Sequence, residues 1–235
     1  MRIVTWNMAC AHPTFTAKYR RTHEDAWRFL LELEPDIALV QEALLDVPEW
    51  VRGQGAVVAQ DRTSEAQDSG SMIFVRGRQV QRQPLVALGS YVVGAEVLGS
   101  SRPLYLASLH VGTSNQRRAL RGLIDGLASV VAGRRFVVGG DLNAARDWGD
   151  RDAYGWFFRE LEERGLHDCH FGLHGRQDQS FWRHDARAGA QLDHLFVDPE
   201  TRKALTGSRV ITNEATKRLS DHSPLVAELD DAAFP

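Results

Sequence analysis

Short apolar runs separated by turn-forming residues are the feature that most constrains the fold of this 235-residue chain. The runs are rich in Val, Ile, Leu and aromatic residues, and such short runs bounded by turns favour β-strands over helices. The predicted strands are Arg2–Trp6, Ile37–Val40, Ser71–Val75, Tyr91–Leu98, Pro103–His110, Arg135–Gly140, Leu192–Val197, Ser208–Thr212 and Ser223–Leu229. A chain with this many strands must build its core around β-sheets.

Helices are predicted between some of these strands. Thr22 is a candidate N-cap, and Asp25 three residues later gives a weak match to a capping box. The apolar residues that follow at helical spacing are Ala26, Phe29, Leu30 and Leu33. A second helix is predicted after Asn115, and a third around residues 154–164. Since hairpin-like neighbours mix with β-α-β units, we expect an α/β fold of two mixed β-sheets packed face to face, with helices outside.

The bulk composition is that of an ordinary globular protein, with 43% hydrophobic and 25% charged residues. There is no internal repeat or low-complexity linker, so we expect one domain over residues 1–235. Cys10 and Cys169 show no CxxC spacing, which favours free thiols in a reducing compartment. No signal peptide or membrane-length apolar run is recognisable, and a cytoplasmic protein without a membrane anchor is therefore expected.

Polar residues follow or precede many of the apolar runs. They are Asn7, Glu42, His110, Asp141, Asn143, Asp193, His194, Asp221 and His222. Each one alone has an ordinary explanation, such as a turn amide, a surface charge or a hydrogen-bonded core histidine. Taken together they favour a functional site, because the ends of buried strands are where α/β sites are built.

Four of these polar residues are acids that would repel one another if they met: Glu42, Asp141, Asp193 and Asp221. A hard divalent cation and paired histidines would relieve that repulsion. The set is rich in oxygen and contains no cysteine, which favours Mg²⁺, with Mn²⁺ as a substitute, over Zn²⁺. Because Mg²⁺ commonly binds a few carboxylates together with phosphate oxygens, phosphoryl transfer to water is the chemistry indicated.

The order of the motifs TWN, QE, SLH, GGDLN, LDHLFV and SDHSPL resembles the endonuclease/exonuclease/phosphatase superfamily. The resemblance runs from Thr5 to Leu225, and GGDLN and SDHSPL are its most specific parts. It implies a four-layer α/β sandwich with the active site at one edge of the two sheets.

The resemblance also implies roles for individual residues. Glu42 would be the main Mg²⁺ ligand with Asn7 beside it, and Asp221 would sit by the metal directly or through water. The implied catalytic residues are Asp141, which holds the attacking water and acts as its base or as an electrostatic partner; Asn143, which bonds a phosphate oxygen; and Asp193, which orients His222 to donate to the phosphate.

His110 points to one branch of the superfamily. A histidine follows this strand in the deoxyribonuclease-like and sphingomyelinase-like branches, whereas abasic-site endonucleases are similar to one another in having a tyrosine there. The resemblance therefore implies that His110 protonates or stabilises the leaving oxygen. Asp68 is a candidate partner for His110 by position, with an ordinary loop acid as the alternative.

Two further groups of residues have two interpretations each. Phe181 and Trp182 are either stacking platforms for a base or sugar, or core aromatics. Three arginines that open the helix after His110 are either phosphate contacts or a solvated helix face. They are Arg117, Arg118 and Arg121.

The sequence leaves three functions to compare. The first is a Mg²⁺-dependent phosphodiesterase or nuclease acting on DNA or RNA, and the second is a phosphatase of a small metabolite, nucleotide or lipid headgroup. A basic strip beside the site would favour the first, although the net charge of −3 gives no general attraction for nucleic acid. A non-catalytic binding protein comes last, because every expected site position is filled. The sequence does not specify the oligomeric state.

Overall fold

Two six-stranded mixed sheets pack face to face in the computed structural model of the chain. It describes residues 1–11, 17–84, 92–99, 102–146, 154–182 and 190–230. Alternate residues of the inner strands face opposite sides, so Ile3 and Leu39 point to the space between the sheets while Val4 and Val40 point to the helices. The predicted α/β sandwich is confirmed.

The first sheet has the strand order β11-β12-β1-β2-β4-β3. Strands β1 and β2 are parallel, and the other neighbours in this sheet are antiparallel. Its strands are β1 (Arg2–Asn7), β2 (Ile37–Leu44), β3 (Gly55–Ala59), β4 (Ser69–Arg76), β11 (Leu205–Val210) and β12 (Leu225–Leu229).

The second sheet has the order β5-β6-β7-β8-β10-β9. Here β7 and β8 are the parallel pair, again beside antiparallel neighbours. Its strands are β5 (Val80–Gln83), β6 (Val92–Val97), β7 (Leu104–His110), β8 (Arg135–Asp141), β9 (His167–Asp168) and β10 (Asp193–Val197).

Helices cover the outer faces of both sheets, which makes four layers. An apolar cluster joins Trp27 and Leu30 to the first sheet, and a second cluster joins Leu123 and Phe158 to the other sheet. The helices are α1 (Ala17–Arg21), α2 (His23–Glu32), α3 (Glu49–Arg52), α4 (Gln116–Val131), α5 (Gly155–Glu163), α6 (Cys169–His174), α7 (Pro199–Lys203) and α8 (Glu214–Leu219). Within the described ranges, none of them is long and apolar enough to cross a membrane.

Several element boundaries differ from those predicted. Strand β2 continues past Val40 to Leu44, because a bulge lets its pairing with β4 resume at Ala43. Thr22 does precede α2, but its hydroxyl bonds to the carbonyls of Lys18 and Tyr19 and makes no cap. The strand predicted at 208–212 begins earlier and ends at Val210.

Other outcomes concern single residues. Asn115 precedes α4 in a left-handed conformation without capping it through its side chain. Cys10 and Cys169 are free and buried, as expected. Tyr91, at the start of one predicted strand, lies outside the described residues.

Candidate active site

The eight predicted site residues meet at one edge of the two sheets. The parallel strands β1, β2, β7 and β8 all run toward that edge, and β10 and β12 begin there. An open cleft of about 320 Å³ lies between them. Six of the eight residues line it: Glu42, His110, Asp141, Asn143, Asp221 and His222. Asn7 and Asp193 are buried beside it and bond to Asp141 and His222 respectively.

The two glycines of GGDLN allow the site strands to approach one another closely. A Cβ atom on Gly140, whose φ is +147°, would lie 1.9 Å from the Leu109 carbonyl oxygen of β7. A Cβ on Gly139 would lie 2.5 Å from the His194 carbonyl oxygen of β10. No other residue type fits there without moving backbone. The glycines thereby hold Asp141 at the end of β8, between the two neighbouring strands.

Asp141 is held by a network of donors. The Asn7 side-chain amide donates to its Oδ2 at 2.9 Å, and the Asn143 backbone N–H donates to its Oδ1 at 2.8 Å. Burial raises the pKa of the Asp141 carboxyl, with the neighbouring Asp193 charge adding to this and the histidines His222 and His110 opposing it. Burial therefore disfavours the ionised form of Asp141, as expected of a group that accepts a proton during a reaction.

His222 is held by the buried Asp193 carboxylate. The distance from His222 Nδ1 to Asp193 Oδ2 is 2.8 Å, and the Ser180 hydroxyl donates to the same oxygen at 2.7 Å. Burial alone would lower the pKa of His222, but the charges of Asp193 and Asp141 more than offset it and raise the pKa to about 10. His222 is therefore an imidazolium at neutral pH, suited to donating a hydrogen bond rather than removing a proton.

Glu42 occupies the bulge in β2 with a φ of +50°. Its Oε1 lies 3.2 Å from His110 Nε2, which is also 3.8 Å from Asp141 Oδ2. Ala9 and Asn143, which line the same cleft, also have positive φ. Since non-glycine residues seldom adopt this conformation, its recurrence around one cleft favours a functional site there.

Asp221 lies near the start of the loop between α8 and β12 and lines the cleft. Burial raises the pKa of its carboxyl, and the Glu42 charge adds to this against the opposing His222 imidazolium. The Asp221 carboxyl is thus largely desolvated and lies near a second carboxylate, Glu42.

The donor set fits a divalent cation. Ligand atoms of Glu42, His110 and Asp141 lie within 4.8 Å of one another, and so do those of a second group formed by Asp141, Asp193 and His222. The raised pKa values of Asp141 and Asp221 show that added positive charge would stabilise the folded protein. In the second group His222 Nδ1 and Asp193 Oδ2 already bond to each other at 2.8 Å, which favours the group that contains Glu42.

Asp68, the acid suggested as a partner of His110, forms a salt bridge of 2.5 Å with Arg20. The hydrogen bond from Arg20 holds the pKa of the Asp68 carboxyl below its usual range. Glu42 and Asp141 both lie within ion-pair distance of His110, and Glu42 is the nearer of the two.

The structure shows what the aromatic and basic residues with two interpretations contact within the chain. Phe181 lines the cleft and packs against His222 with ring centroids 4.8 Å apart. Trp182 donates its indole N–H to Ser223, and Lys217 lies over its ring, which is a packing role. Arg117 and Arg121 are exposed on α4 and stack on the ring of Trp156.

Ser180 is a site residue that sequence reasoning missed. Its hydroxyl donates to Asp193 and accepts the backbone N–H groups of Leu192 and Asp193 at 3.0 and 3.1 Å. A serine before two aromatic residues carries no recognisable signal, because serine is common in loops. His194 was noticed, but it bonds to Asp168 in the core and lies outside the cleft.

A two-sheet sandwich with an acid-rich cleft and a carboxylate-bound imidazolium at one edge defines a metal-dependent phosphoesterase. Residues 4–222 match the sequence pattern of the endonuclease/exonuclease/phosphatase family, and the chain belongs to that family. Members of the family are metal-dependent hydrolases that act on phosphate esters.

Solved structures with this fold include nucleic-acid enzymes. The chain is similar to the 3′ phosphatase NExo from Neisseria bound to a product DNA hairpin, with 21% identity, a TM-score of 0.72 and coverage of 98% of this chain and 99% of that one. An AP endonuclease from Archaeoglobus fulgidus gives 17% identity, a TM-score of 0.74 and coverage of 98% and 99%.

A third similar structure is an endonuclease/exonuclease/phosphatase from Bacteroides vulgatus, with 20% identity, a TM-score of 0.69 and coverage of 97% and 98%. No curated protein sequence matches this chain. Identities this low establish the shared fold and do not assign a branch of the family.

Proposed function

We propose that this chain is one catalytic domain over residues 1–235 that hydrolyses phosphodiester bonds of nucleic acid with Mg²⁺, Mn²⁺ being a substitute. The observation that carries the proposal is the position of Asp141 between two histidines. Its Oδ2 lies 3.8 Å from both His110 Nε2 and His222 Nε2. One carboxylate thus lies close to two histidines at the cleft, which places a proton acceptor and two candidate hydrogen-bond donors where a phosphate ester would react.

The metal would be held by Glu42, with Asp221 beside it directly or through water. Asn7 would lie beside the same cation, although its amide N–H already donates to Asp141 and its amide oxygen accepts the Ala9 N–H at 2.8 Å. Carboxylate and amide oxygens are the ligands that Mg²⁺ prefers. When bound, the cation supplies positive charge to the nonbridging phosphate oxygens.

The protein residues divide the remaining chemistry. Asp141 holds the attacking water and takes its proton, while the His222 imidazolium donates to a phosphate oxygen on which charge develops. His110 donates to the leaving oxygen. Asn143 is assigned to the phosphate as well, but its amide now bonds the Val111 carbonyl at 2.9 Å and Asp141 at 3.3 Å. A phosphate oxygen that binds the Asn143 amide must therefore displace one of these two acceptors.

Nucleic acid is favoured as the substrate by the surroundings of the cleft. The Gln116 side chain donates to the carbonyl of Leu142 at 3.3 Å and to that of Asn143, which fixes the start of α4 to the GGDLN turn. The exposed Arg117 and Arg121 follow within this helix, where phosphates of a bound strand would be attracted. Phe181 offers a ring for stacking in the cleft.

The alternative is a phosphatase of a small metabolite, nucleotide or lipid headgroup. The net charge of −3 supports it, because it gives no long-range attraction for a polyanion. The two candidates share the same catalytic residues and differ only in what the cleft accepts.

A substrate panel with Mg²⁺ tests the proposal. It presents plasmid DNA, single-stranded DNA, RNA, nucleotide monophosphates, inositol phosphates and bis-p-nitrophenyl phosphate to the purified protein. We expect cleavage of DNA or RNA and of the synthetic diester, and a loss of about 10² or more in the Asp141→Ala variant. Turnover of monoesters alone would establish the phosphatase instead.

A further inference from the structure

His23, the first residue of α2, is buried and lies outside the cleft. Burial lowers its pKa to about 4, with the charge of Arg20 acting in the same direction. Its ring is therefore neutral at ordinary pH, and one ring nitrogen is free to accept hydrogen bonds.

That acceptor is Nε2, and it serves two donors. The Trp27 indole N–H lies 3.1 Å from it, and the backbone N–H of Leu44 also lies 3.1 Å from it. Since Nε2 accepts both bonds, the ring proton must be on Nδ1. A side chain on a surface helix thus bonds directly to the backbone of a central strand.

The Leu44 amide lies just after the bulge in β2 and donates to His23 Nε2. Residues after β1 bond to the bulge itself, where the Met8 N–H donates to the Gln41 carbonyl and the Cys10 N–H to the Glu42 carbonyl. Leu44 pairs with Ser69 of β4 on its other side. His23 thereby fixes the backbone on the downstream side of Glu42, and Cys10 fixes the Glu42 carbonyl.

We propose that His23 is a positioning residue that keeps the bulge of β2 in the conformation in which the Glu42 carboxylate can bind a divalent cation. The positive φ of Glu42 requires such support, because non-glycine residues seldom adopt this conformation and keep it only where the surrounding structure holds it. Without the acceptor, the half-buried Leu44 N–H would lose its partner, and the bulge would relax toward regular pairing. The inference rests on the proposed role of Glu42 in metal binding.

The test measures Mn²⁺ binding to the metal-free protein directly. The electron paramagnetic resonance signal of free Mn²⁺ reports how much of the ion stays unbound. His23→Leu removes the acceptor at similar volume, whereas His23→Gln places an amide oxygen near the position of Nε2. We expect His23→Leu to weaken Mn²⁺ binding about tenfold or more, as outer-sphere partners of metal sites do. His23→Gln should stay much closer to wild type.

Trp27→Phe is the matched control. It disturbs the same apolar cluster and removes the other donor to Nε2, yet it leaves the bond from Leu44 intact. We expect lower thermal stability with nearly unchanged Mn²⁺ affinity. If Trp27→Phe and His23→Gln weaken binding as much as His23→Leu, the effect is general loosening of the core and the positioning role is wrong.

Glu42→Gln tests the proposed metal site separately from the proposed role of His23. Unchanged Mn²⁺ binding in this variant would overturn the proposed metal site, whereas weakened binding in Glu42→Gln with unchanged binding in His23→Leu would overturn only the role of His23. If His23→Leu does not fold, a Mg²⁺ titration of the wild-type protein decides by nuclear magnetic resonance. The Leu44 amide and the His23 ring nitrogens should shift with the midpoint of metal binding, and constant signals would contradict the proposal.

Discussion

His222 and Asp193 form a buried ion pair in which the ring Nδ1 lies 2.8 Å from the carboxylate Oδ2. Asp141 Oδ2 approaches the other ring nitrogen at 3.8 Å. The imidazolium is therefore flanked by two carboxylates, and its proton on Nε2 is directed toward the cleft. The two carboxylates thus stabilise the protonated, charged form of the His222 ring.

The pH dependence of Asp193→Asn follows from this pair. Because the Asp193 charge contributes to raising the pKa of His222 to about 10, its removal lowers that pKa. If activity requires the imidazolium, the alkaline limb of kcat/KM against pH should move to lower pH in the variant. The measurement is the full pH profile with Mg²⁺ and a synthetic diester. An alkaline limb at the wild-type position would show that His222 is not the group whose protonation matters.

Asp221→Asn should stabilise the metal-free protein. The raised pKa of Asp221 means that the folded state holds a proton more tightly than the unfolded chain, so ionised Asp221 reduces stability above that pKa. Stability of the wild-type protein should accordingly increase as the pH falls through the raised pKa of this carboxyl. Thermal unfolding in EDTA between about pH 5 and 8 should show a higher midpoint for the variant, most clearly at the upper end. A lower midpoint across this range would contradict the argument.

Metal removal should abolish activity. The carboxylates Glu42, Asp141 and Asp221 leave excess negative charge in the cleft that a phosphate would meet on entry. We expect no turnover in EDTA and full recovery on addition of Mg²⁺ or Mn²⁺. Full activity of a preparation verified to be free of metal would rule out the metal-dependent mechanism.

His110→Ala and His222→Ala should differ in their sensitivity to the leaving group. His110 is assigned to the leaving oxygen, so its loss should hurt a nucleotide diester far more than a p-nitrophenyl ester, whose oxygen departs without a proton. His222 serves the phosphate, and its loss should reduce kcat/KM for both substrates alike. Equal losses for His110→Ala on both substrates would make it a phosphate-binding or structural histidine.

The sequence carried enough information for the sandwich and for the composition of the cleft. Short apolar runs predicted most of the inner strands, and the parallel order of β1, β2, β7 and β8 brings their carboxyl ends together. The edge strands β3, β5 and β9 were not predicted. Strand β5 (VQRQ) is mostly polar and β9 has only two residues, whereas β3 (GAVVA) is a short apolar run without the alternation of a half-buried strand.

The spacing of apolar residues in the sequence could not predict the detailed geometry of the cleft. Nothing in QEAL indicates that Glu42 lies in a bulge, because a bulge is decided by the pairing of β2 with β4 and not by local propensity. Ser180 and His23 are residue types that occur widely in loops and helices, and their contacts depend on long-range packing. Tertiary contacts also give the two neighbouring aromatic residues different surroundings. Phe181 lines the cleft, whereas Trp182 donates its indole N–H to Ser223.

The place of β12 beside β1 has a consequence for the order of events during translation. The Ser220 hydroxyl donates to the Asn7 carbonyl and the Trp6 indole to the His222 carbonyl, across 213 and 216 residues of chain. A nascent chain therefore exposes Asn7 and Glu42 well before their partners leave the ribosome, which adds residues at about 5–20 per second. The site is therefore incomplete in every shorter intermediate, because a product that ends before Asp221 lacks both Asp221 and His222.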